Sequence, residues 1–433
     1  MGRKTPPQFP LTIEHIVFGG EGMGYFENRP VFVYGVFPGE EVVVAPIKVN
    51  SRFVKARLVS VTKSSPKRIP ALEEHHLTCS PWQTISYDEQ VVYKTSMVKS
   101  MWEHMTKDVS KETLTILPSD EQWNYRNKLE FSVIEGDGGG MQLAFHKRYR
   151  HSQYYGLDKC VLGMPQMNTA ATALLGQLQD LGVTADMIKN ILVRGTNTGD
   201  VVAVVYAMTK KFPDVDFSKL SIQGGAVVYS DPKSPVAKTD EVLLSFGILD
   251  LTESVNEKKL TYGYESFFQV HTPMFTKLIQ ELKKHLPKSI PRLLDLYSGV
   301  GTIGIALSDI VGHITAIENH SKSKYYAEIN FSQNGINNFD FMQIEVEKSE
   351  MHDLFTSHDV ICVDPPRAGL HPKVSEMLSE SGSDIIVYVS CNPATQARDW
   401  NILKKNYIIK TWYLVDMYPQ TPHVESVLVL KRT

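Results

Sequence analysis

The first part of the chain alternates apolar and polar positions in short runs that glycine and proline separate. Runs this short and closely spaced predict brief β-strands in a small barrel of the OB-like kind. Residues 86–108 change to apolar side chains at every fourth position, which predicts a helix. We therefore expect residues 1–68 to form the barrel, and residues 69–120 to supply a linker and a helix that pack on the C-terminal domain, residues 261–433.

Two further patterns follow along the chain. Residues 121–260 mix strand-like runs with one helix near residues 168–181, which is typical of an α+β domain. From residue 275 onward, helical stretches alternate with continuous apolar runs such as VICV and DIIVYV, the pattern of buried parallel strands. The expected fold class is multidomain α/β, with a Rossmann-like doubly wound domain over residues 261–433. Ligands of such a domain belong at the carboxyl ends of its strands.

Composition narrows the class of protein. The 433 residues are 42% hydrophobic and 21% charged, which is ordinary for a globular enzyme and excludes wholesale disorder. No apolar run reaches the roughly 18 residues that cross a bilayer, and the start MGRKTPPQFP lacks the apolar core of a signal peptide. The cysteines show no disulfide spacing: Cys79, Cys160, Cys362 and Cys391. We expect a cytoplasmic monomer without a membrane partner.

The formal net charge of −3 argues against a nucleic-acid partner only when it is taken as an average. Residues 1–70 carry ten Lys/Arg against five Asp/Glu, so the N-terminal module is basic and the remainder is mildly acidic. A basic cluster lies near the end of this module: Arg52, Lys55, Arg57, Lys63, Lys67 and Arg68. This cluster indicates either a solvated edge strand protected by lysines or a contact surface for an RNA backbone.

A glycine motif, Gly299-x-Gly301-x-x-Gly304, directly follows the strand-like run LLDLY. Glycines at this spacing let the backbone turn tightly and approach a ligand closely. Glu318 ends the next predicted strand, where a carboxylate can bind ribose hydroxyls. The motif alone fits NAD, FAD and S-adenosylmethionine equally.

Two later turns distinguish between these cofactors. The turn DPPR follows VICV, so Asp364 points outward at a strand's carboxyl end. Cys391 follows DIIVYV in the turn SCNP, beside the start of a predicted helix. A helix N-terminus favours thiolate over thiol, so Cys391 is a candidate nucleophile. Cys362 lies inside its apolar strand, where we expect a buried core residue.

The turn PQTPHVE near the C-terminus contains two candidate bases. Glu425 can act as a general base if it lies in the pocket, and His423 competes for the same role. The residue types alone leave both open.

These motifs resemble those of the RNA uracil-5-methyltransferase family. The resemblance rests on DLYSGVGTIG, DPPRAGL, VYVSCNPATQARD and MYPQTPHVE in family order, with NYRNKLEF and ESFFQVHTPM before them. It covers nearly the whole chain, and the N-terminal module resembles the TRAM domain that many members carry.

The resemblance implies a mechanism. Cys391 would attack C6 of uracil, the resulting enolate would take a methyl group from S-adenosylmethionine at C5, and Glu425 would remove the C5 proton. Matching motifs imply cofactor contacts: Gln269, Tyr297, Glu318 and Asp364, with Gly299 and Gly301.

The resemblance also implies substrate contacts. Arg126 and Lys128 match RNA-contacting positions, and Asp364 has a second role in orienting the uracil edge. Phe267 is a candidate to fill the gap that a flipped base leaves in its stack, and a core aromatic residue fits Phe267 equally.

This chain departs from the family pattern at several positions, so not every property of the family is expected of it. Many relatives bind an iron–sulfur cluster through CxxxxxCGGC and a fourth cysteine, whereas this chain has EEHHLTCSPWQTISY. Four thiolates are needed and two are available, so we expect no cluster. A zinc site would combine ligands of irregular spacing, and we expect no metal there: His75, His76, Cys79 and Cys160. His271 replaces an expected asparagine, which leaves that substrate contact open.

The sequence therefore predicts S-adenosylmethionine-dependent methylation of uracil C5 in RNA. The TRAM-like module favours 23S ribosomal RNA, with transfer RNA as the alternative. A non-catalytic RNA-binding protein is a further alternative, and the presence of Cys391 and Glu425 argues against it. A nicotinamide-dependent dehydrogenase would leave the DPPR and SCNP turns unexplained.

Overall fold

The computed structural model describes residues 7–107, 114–136, 138–148, 150–348 and 351–433. The first residues of the predicted barrel, and residues 108–113 of the predicted linker, lie outside these ranges. Within the described ranges, no helix is both long and apolar enough to cross a membrane.

The N-terminal residues form one curled six-stranded sheet. Its strands are β1 (Phe9–Thr12), β2 (His15–Ile16), β3 (Glu21–Phe26), β4 (Arg29–Tyr34), β5 (Glu41–Val49) and β6 (Val54–Lys63). They lie in the order β1-β5-β6-β4-β3-β2, and β4 pairs with β6 in parallel. A Cβ on Gly24 would lie 2.0 Å from the carbonyl oxygen of Thr12, so only glycine lets β3 approach this closely. The alternating apolar residues of these strands enclose a small separate core.

The segment after this sheet contains α1 (His76–Cys79), α2 (Tyr87–Thr106) and β7 (Thr115–Leu117). The helix predicted over residues 86–108 is therefore present as α2. Lys94 on α2 is fully buried, and its Nζ donates to Asp416 Oδ1 at 2.6 Å. The ring of Trp102 lies 4.6 Å from that of Trp412. Both contacts attach α2 to the C-terminal part of the chain.

The central residues form a seven-stranded sheet covered on one face by α3 (Pro165–Asp180). Its strands are β8 (Lys128–Glu135), β9 (Met141–Lys147), β10 (Arg150–Gly156), β11 (Ile188–Gly195), β12 (Val201–Ala207), β13 (Gly224–Tyr229) and β14 (Glu241–Gly247). They lie in the order β10-β9-β8-β11-β12-β13-β14. A hairpin of β15 (Asp250–Val255) and β16 (Lys258–Gly263) follows, and its apolar face joins the core of the last domain.

The C-terminal residues form the doubly wound domain. Its strands are β17 (Ile290–Leu296), β18 (Val311–Glu318), β19 (Phe339–Gln343), β20 (Val360–Val363), β21 (Ile385–Ser390), β22 (Tyr407–Val415) and β23 (Glu425–Arg432). Its helices are α4 (Thr272–His285), α5 (Thr302–Ala306), α6 (Ser323–Gln333), α7 (His352–Thr356), α8 (Pro372–Glu380) and α9 (Pro393–Leu403).

The sheet order in this domain is β19-β18-β17-β20-β21-β23-β22-β7. The first five strands of this order, from β19 through β18, β17 and β20 to β21, run parallel. Strand β23 is antiparallel to both of its neighbours, and β7 from the linker pairs in parallel with β22. Apolar side chains on the two faces form two large core clusters, as the continuous apolar strands predict. The predicted multidomain α/β fold class is confirmed.

Candidate active site

A cleft of about 1220 Å³ opens at the carboxyl ends of the parallel strands. The chain leaves β17 toward β18 and β19 on one side, and returns to β20 and β21 on the other. Crossover helices on opposite sides leave a crevice at this point of reversal, where open α/β sheets bind their ligands. The fold thus places the cleft where the sequence predicted ligands to bind.

Strand register gathers the predicted site residues into one row. Leu296 pairs with Ile317 and with Val363, so the residues that follow them lie side by side at the sheet edge. Those residues line the cleft: Tyr297, Glu318 and Asp364. Because Val363 also pairs with Tyr388, the end of β21 continues the row toward Cys391.

The glycine motif forms the turn between β17 and α5. Gly299 has φ +55°, and a Cβ there would meet no atom within 4 Å, so its backbone is open to the cleft. Its N–H donates to Glu318 Oε2 at 3.1 Å, which holds the carboxylate beside the turn. A Cβ on Gly304 would lie 3.0 Å from Ile314 and 3.1 Å from Asp295, so this glycine lets α5 pack closely on the sheet.

Asp364 also lines the cleft. Gln269 Nε2 donates to Asp364 Oδ2 at 3.3 Å, which joins the segment before α4 to the end of β20. Burial raises the pKa of Asp364 to about 7, although the Gln269 hydrogen bond opposes this shift. The cleft floor therefore favours a neutral carboxyl group, or a cationic ligand that balances the carboxylate.

Cys391 and Glu425 come together because β21 and β23 are antiparallel. Ser390 pairs with Ser426, so the next step in register sets Cys391 opposite Glu425. Both side chains line the cleft. Sequence positions far apart thus become cross-strand neighbours at one end of the sheet.

The protonation state of Cys391 differs from the sequence prediction. Cys391 directly precedes Asn392, the residue that caps α9, as the SCNP turn indicated. However, burial and the charges of Glu425 and Asp364 raise the pKa of Cys391 to about 11, against a lowering by Arg367. Burial and two nearby carboxylates thus oppose the effect of the helix terminus and favour the thiol over the thiolate.

Glu425 is only 4% exposed. Burial and the charge of Asp364 raise its pKa well above the usual range for a carboxyl group. Tyr418 Oη approaches Glu425 Oε2 at 3.5 Å, and Glu425 Oε1 has no hydrogen-bond partner among the described residues. An unpartnered carboxylate oxygen inside the cleft is available to a proton on a bound molecule.

The two histidines named in the sequence have different environments. His423 lines the cleft with an exposed side chain, beside the buried Glu425. His271 is 1% exposed, stacks on the ring of Tyr125 at 4.6 Å, and has Nε2 2.9 Å from Ser119 Oγ. Burial lowers its pKa to about 4. His271 is therefore a packed, neutral side chain outside the residues that line the cleft.

The central domain supplies the opposite wall of the cleft, with Arg126 and Lys128 in its lining. Burial and the charge of Arg194 lower the pKa of Lys128. Phe267 also lines the cleft and is 72% exposed, so it is not the core aromatic residue that the sequence left open.

The basic cluster of the N-terminal module is largely paired with carboxylates. Four of its six members form ion pairs at 2.6–3.3 Å, as follows: Lys55 with Glu21, Lys63 with Glu41, Lys67 with Glu89 and Arg68 with Glu40. Arg52 and Arg57 are exposed, and neither has an ion-pair partner among the described residues. Arg52 and Arg57 are therefore the members of this cluster whose charge is least engaged within the protein.

Comparison with known proteins identifies the chain. The sequence model of the tRNA (uracil-5-)-methyltransferase family matches residues 86–433, and that of the TRAM domain matches residues 8–59. The chain belongs to the tRNA (uracil-5-)-methyltransferase family. It is therefore an RNA methyltransferase, and S-adenosylmethionine is the cofactor of its family.

Relatives of this uracil-5-methyltransferase align along nearly its whole length. Uncharacterized RNA methyltransferases of Listeria innocua and Halalkalibacterium halodurans are 32% and 30% identical, and the alignments cover 98% and 99% of this chain and 98% and 97% of theirs. The structure of Pyrococcus abyssi tRNA (uracil-54, C5)-methyltransferase with S-adenosyl-L-homocysteine has a TM-score of 0.79 at 24% identity. It covers 97% of this chain and 99% of that one, which shows a shared fold.

The uracil-5-methyltransferase cleft also contains residues that the sequence did not single out as site residues. Arg367 and Tyr418 lie in the DPPR and MYPQTPHVE motifs, so the motifs themselves were the available signal. Arg148 lies 3.3 Å above the ring of Tyr34, which brings the TRAM domain to the mouth of the cleft. No local pattern in the sequence indicates that pair.

Proposed function

We propose that this uracil-5-methyltransferase methylates C5 of a uridine in 23S ribosomal RNA through a covalent bond between Cys391 and C6. The facing positions of Cys391 and Glu425 carry this proposal. A thiol and an otherwise unpartnered carboxylate on one side of a narrow cleft suit addition at C6 and proton removal at C5.

The cofactor half of the cleft fits S-adenosylmethionine. The open backbone at Gly299 and the carboxylate of Glu318 suit a nucleoside, and Tyr297, Gln269 and Asp364 continue the same wall. When bound, S-adenosylmethionine supplies an electrophilic methyl group on a positively charged sulfur. Burial raises the pKa of Asp364, so a cationic sulfur bound beside it would balance the carboxylate.

Cys391 begins the reaction. Its thiolate electron pair forms a bond to C6, and the C5–C6 π electrons move to make an enolate at C5 and O4. The enolate carbon C5 would take the methyl group that S-adenosylmethionine supplies, while the methyl–sulfur bonding pair would stay on the sulfur of the departing S-adenosylhomocysteine. C5 would then carry both a methyl and a hydrogen. Glu425 accepts that hydrogen as a proton, the C–H electrons re-form the C5–C6 double bond, and the sulfur of Cys391 leaves with its bonding pair.

The charges around the cleft decide when these steps begin. Cys391 must lose its proton and Glu425 must be ionised, yet burial and neighbouring carboxylates raise both pKa values. Arg367 lines the cleft and lowers the pKa of both groups, so its cation favours their ionised forms. A cationic methyl donor would act in the same direction.

RNA binding extends from the cleft toward the TRAM domain. Arg126 and Lys128 suit phosphate contacts, and Phe267 presents an exposed ring at the cleft where a flipped base leaves its stack. Asp364 suits a second contact to the uracil edge. We place the enzyme in the cytoplasm as a monomer, with residues 1–68, 69–120, 121–260 and 261–433 as its structural units.

Transfer RNA is the second candidate substrate, because the matching family is described by its action on tRNA. Incubating the enzyme with methyl-labelled S-adenosylmethionine and either 23S ribosomal RNA or tRNA distinguishes the two. We expect label in 5-methyluridine of the ribosomal RNA. Label confined to tRNA would reassign the substrate, and no 5-methyluridine in either would leave a non-catalytic RNA-binding role.

A matched pair of variants tests the chemistry. RNA containing 5-fluorouridine should trap wild-type enzyme covalently, because fluorine at C5 cannot leave as a proton, and Cys391→Ala should trap none. Glu425→Gln should form a stable adduct even with ordinary RNA and methyl donor, since methylation proceeds and proton removal fails. Equal trapping by Cys391→Ala, or full turnover by Glu425→Gln, would exclude the assigned roles.

A further inference from the structure

Four potential metal ligands meet outside the methyl-transfer centre. One ligand atom from each of four side chains lies within 4.8 Å of all the others: Glu73, His75, Cys79 and Cys160. The first three lie in and just before α1, and Cys160 comes from the central domain just before α3. Tertiary folding thus brings together a set that no regular spacing in the sequence indicates.

The cluster is largely buried. His75 is 6% exposed and Cys160 is 1% exposed, and Cys79 is half-buried. His75 Nε2 lies 3.3 Å from Glu73 Oε2 and also faces the thiol of Cys160. One imidazole nitrogen, one carboxylate and two thiols therefore converge on one point, and these are donor types that bind zinc.

Surrounding hydrogen bonds hold the ligands in place. Glu73 Oε1 accepts from the N–H of Val161 at 2.6 Å, and Oε2 accepts from Gln83 Nε2 at 3.0 Å. Asn168 accepts from the N–H of Cys160 at 2.9 Å and donates to its carbonyl oxygen at 3.0 Å. Such outer contacts orient metal ligands in known sites, and here they act on both halves of the cluster.

We propose that Glu73, His75, Cys79 and Cys160 bind one zinc ion as a closed structural site. Two thiolates exclude magnesium and calcium, which take oxygen ligands, and one imidazole with one carboxylate completes a tetrahedral set suited to zinc. Sulfur atoms bound to one zinc lie about 3.8 Å apart, so the present spacing within 4.8 Å closes with small side-chain movements. Four protein ligands leave no open position for substrate.

The structure corrects the ligand set considered from the sequence. His76 is not part of the cluster: its Nδ1 lies 2.8 Å from the carbonyl oxygen of Glu73. Glu73 takes the fourth position instead. The sequence analysis expected no metal because the candidate ligands are irregularly spaced along the chain, but the fold brings Glu73, His75, Cys79 and Cys160 together in space.

Zinc here would support the RNA-binding wall of the cleft. It would link the segment before α2 to residue 160, and Cys79 itself lines the cleft. The next residues along the chain hold the substrate wall, because Arg126 donates its N–H to the carbonyl oxygen of Leu162 at 2.8 Å. The ion would therefore stabilise the backbone that carries Arg126 without taking part in methyl transfer.

Metal analysis of the full-length protein tests this proposal independently of methyltransferase activity. Protein purified from zinc-supplemented medium should contain about one zinc per chain, and His75→Ala and Cys160→Ser should each contain less than about a tenth of that. The matched controls His76→Ala and Cys391→Ala should retain the full zinc content. Full zinc in His75→Ala and Cys160→Ser, or a zinc-free wild type, would overturn the proposal.

A second measurement covers variants that fail to fold. Cobalt added to the chelator-treated wild-type protein should give thiolate-to-cobalt charge-transfer absorption and the intense visible bands of tetrahedral cobalt, both removed by one equivalent of zinc. Weak octahedral bands without a thiolate transition would contradict the site. Iron with acid-labile sulfide, or a disulfide between Cys79 and Cys160 in wild-type protein, would also overturn it.

Discussion

The titration of Cys391 gives the sharpest test of how this cleft is built. Its pKa is raised to about 11 from an ordinary 9.0, first by burial and then by Glu425 and Asp364. At pH 8 a pKa of about 11 leaves about one thiol in a thousand ionised, whereas 9.0 would leave about one in eleven. The ligand-free enzyme should therefore react with an alkylating reagent about a hundredfold more slowly than an ordinary cysteine.

The assay follows iodoacetamide labelling of the Cys391 peptide by mass spectrometry, so the other cysteines do not interfere. We expect the logarithm of the rate to rise with a slope of about one per pH unit up to about pH 10, without a plateau. Glu425→Gln should lower the pKa of Cys391 that this profile reports, but by less than the difference of about two pH units between about 11 and 9.0, because burial is the largest cause of that difference. Arg367→Ala should raise the pKa of Cys391, because it removes a cation that favours the thiolate.

Glu347→Gln is the matched control, because Glu347 lines the same cleft and contacts Tyr297 Oη at 3.2 Å but is not among the groups that shift Cys391. Its profile should coincide with that of the wild type. A plateau at or below about pH 8.5 in the wild type would mean that the helix terminus dominates. An unchanged midpoint in Glu425→Gln would refute the assigned effect of that carboxylate.

Three further predictions concern stability and RNA binding. Burial raises the pKa of Asp295 to about 7, so between about pH 4 and 7 the folded protein binds a proton that the unfolded chain does not, and stability falls as pH rises through that window. In urea unfolding, Asp295→Asn should therefore be more stable than wild type by about 1–3 kcal/mol at pH 8 and by little at pH 4. Lys94→Met should cost about 3–5 kcal/mol, because Asp416 is left buried without its cation, and Lys94→Met/Asp416→Leu should recover most of that loss. The double variant Arg52→Ala/Arg57→Ala should reduce the slope of log affinity for RNA against log salt concentration by about two. Lys63→Ala, which removes a lysine that is ion-paired with Glu41, should reduce the slope by less, and an unchanged slope in the double variant would place phosphate binding elsewhere.

The strand-end residues of the site were predictable from sequence because parallel strands share one carboxyl edge. Glu318, Asp364 and Cys391 each follow an apolar run, and a doubly wound sheet brings such positions to one crevice. The glycine motif likewise specified its turn through local backbone constraints.

Other features depended on contacts between distant segments. The proposal of Glu425 over His423 as the base rests on the antiparallel pairing of β23 with β21, which no local pattern indicates. The raised pKa of Cys391 runs against the thiolate expected from the helix terminus, because the neighbouring carboxylates come from two other strands. Three acidic partners of the basic cluster lie in the same N-terminal module and the fourth, Glu89, lies on α2, but only the fold shows which cluster members they pair with.

The raised pKa values of Cys391, Asp364 and Glu425 have one common origin. Burial is the largest cause of the raised pKa in all three groups. The cation of Arg367 lowers the pKa of Cys391 and Glu425 but does not offset the effect of burial. Such a group of acids holds its protons until further positive charge arrives. In the proposed mechanism, a cationic methyl donor beside Asp364 would supply that charge and would thereby couple ionisation of Cys391 to cofactor binding.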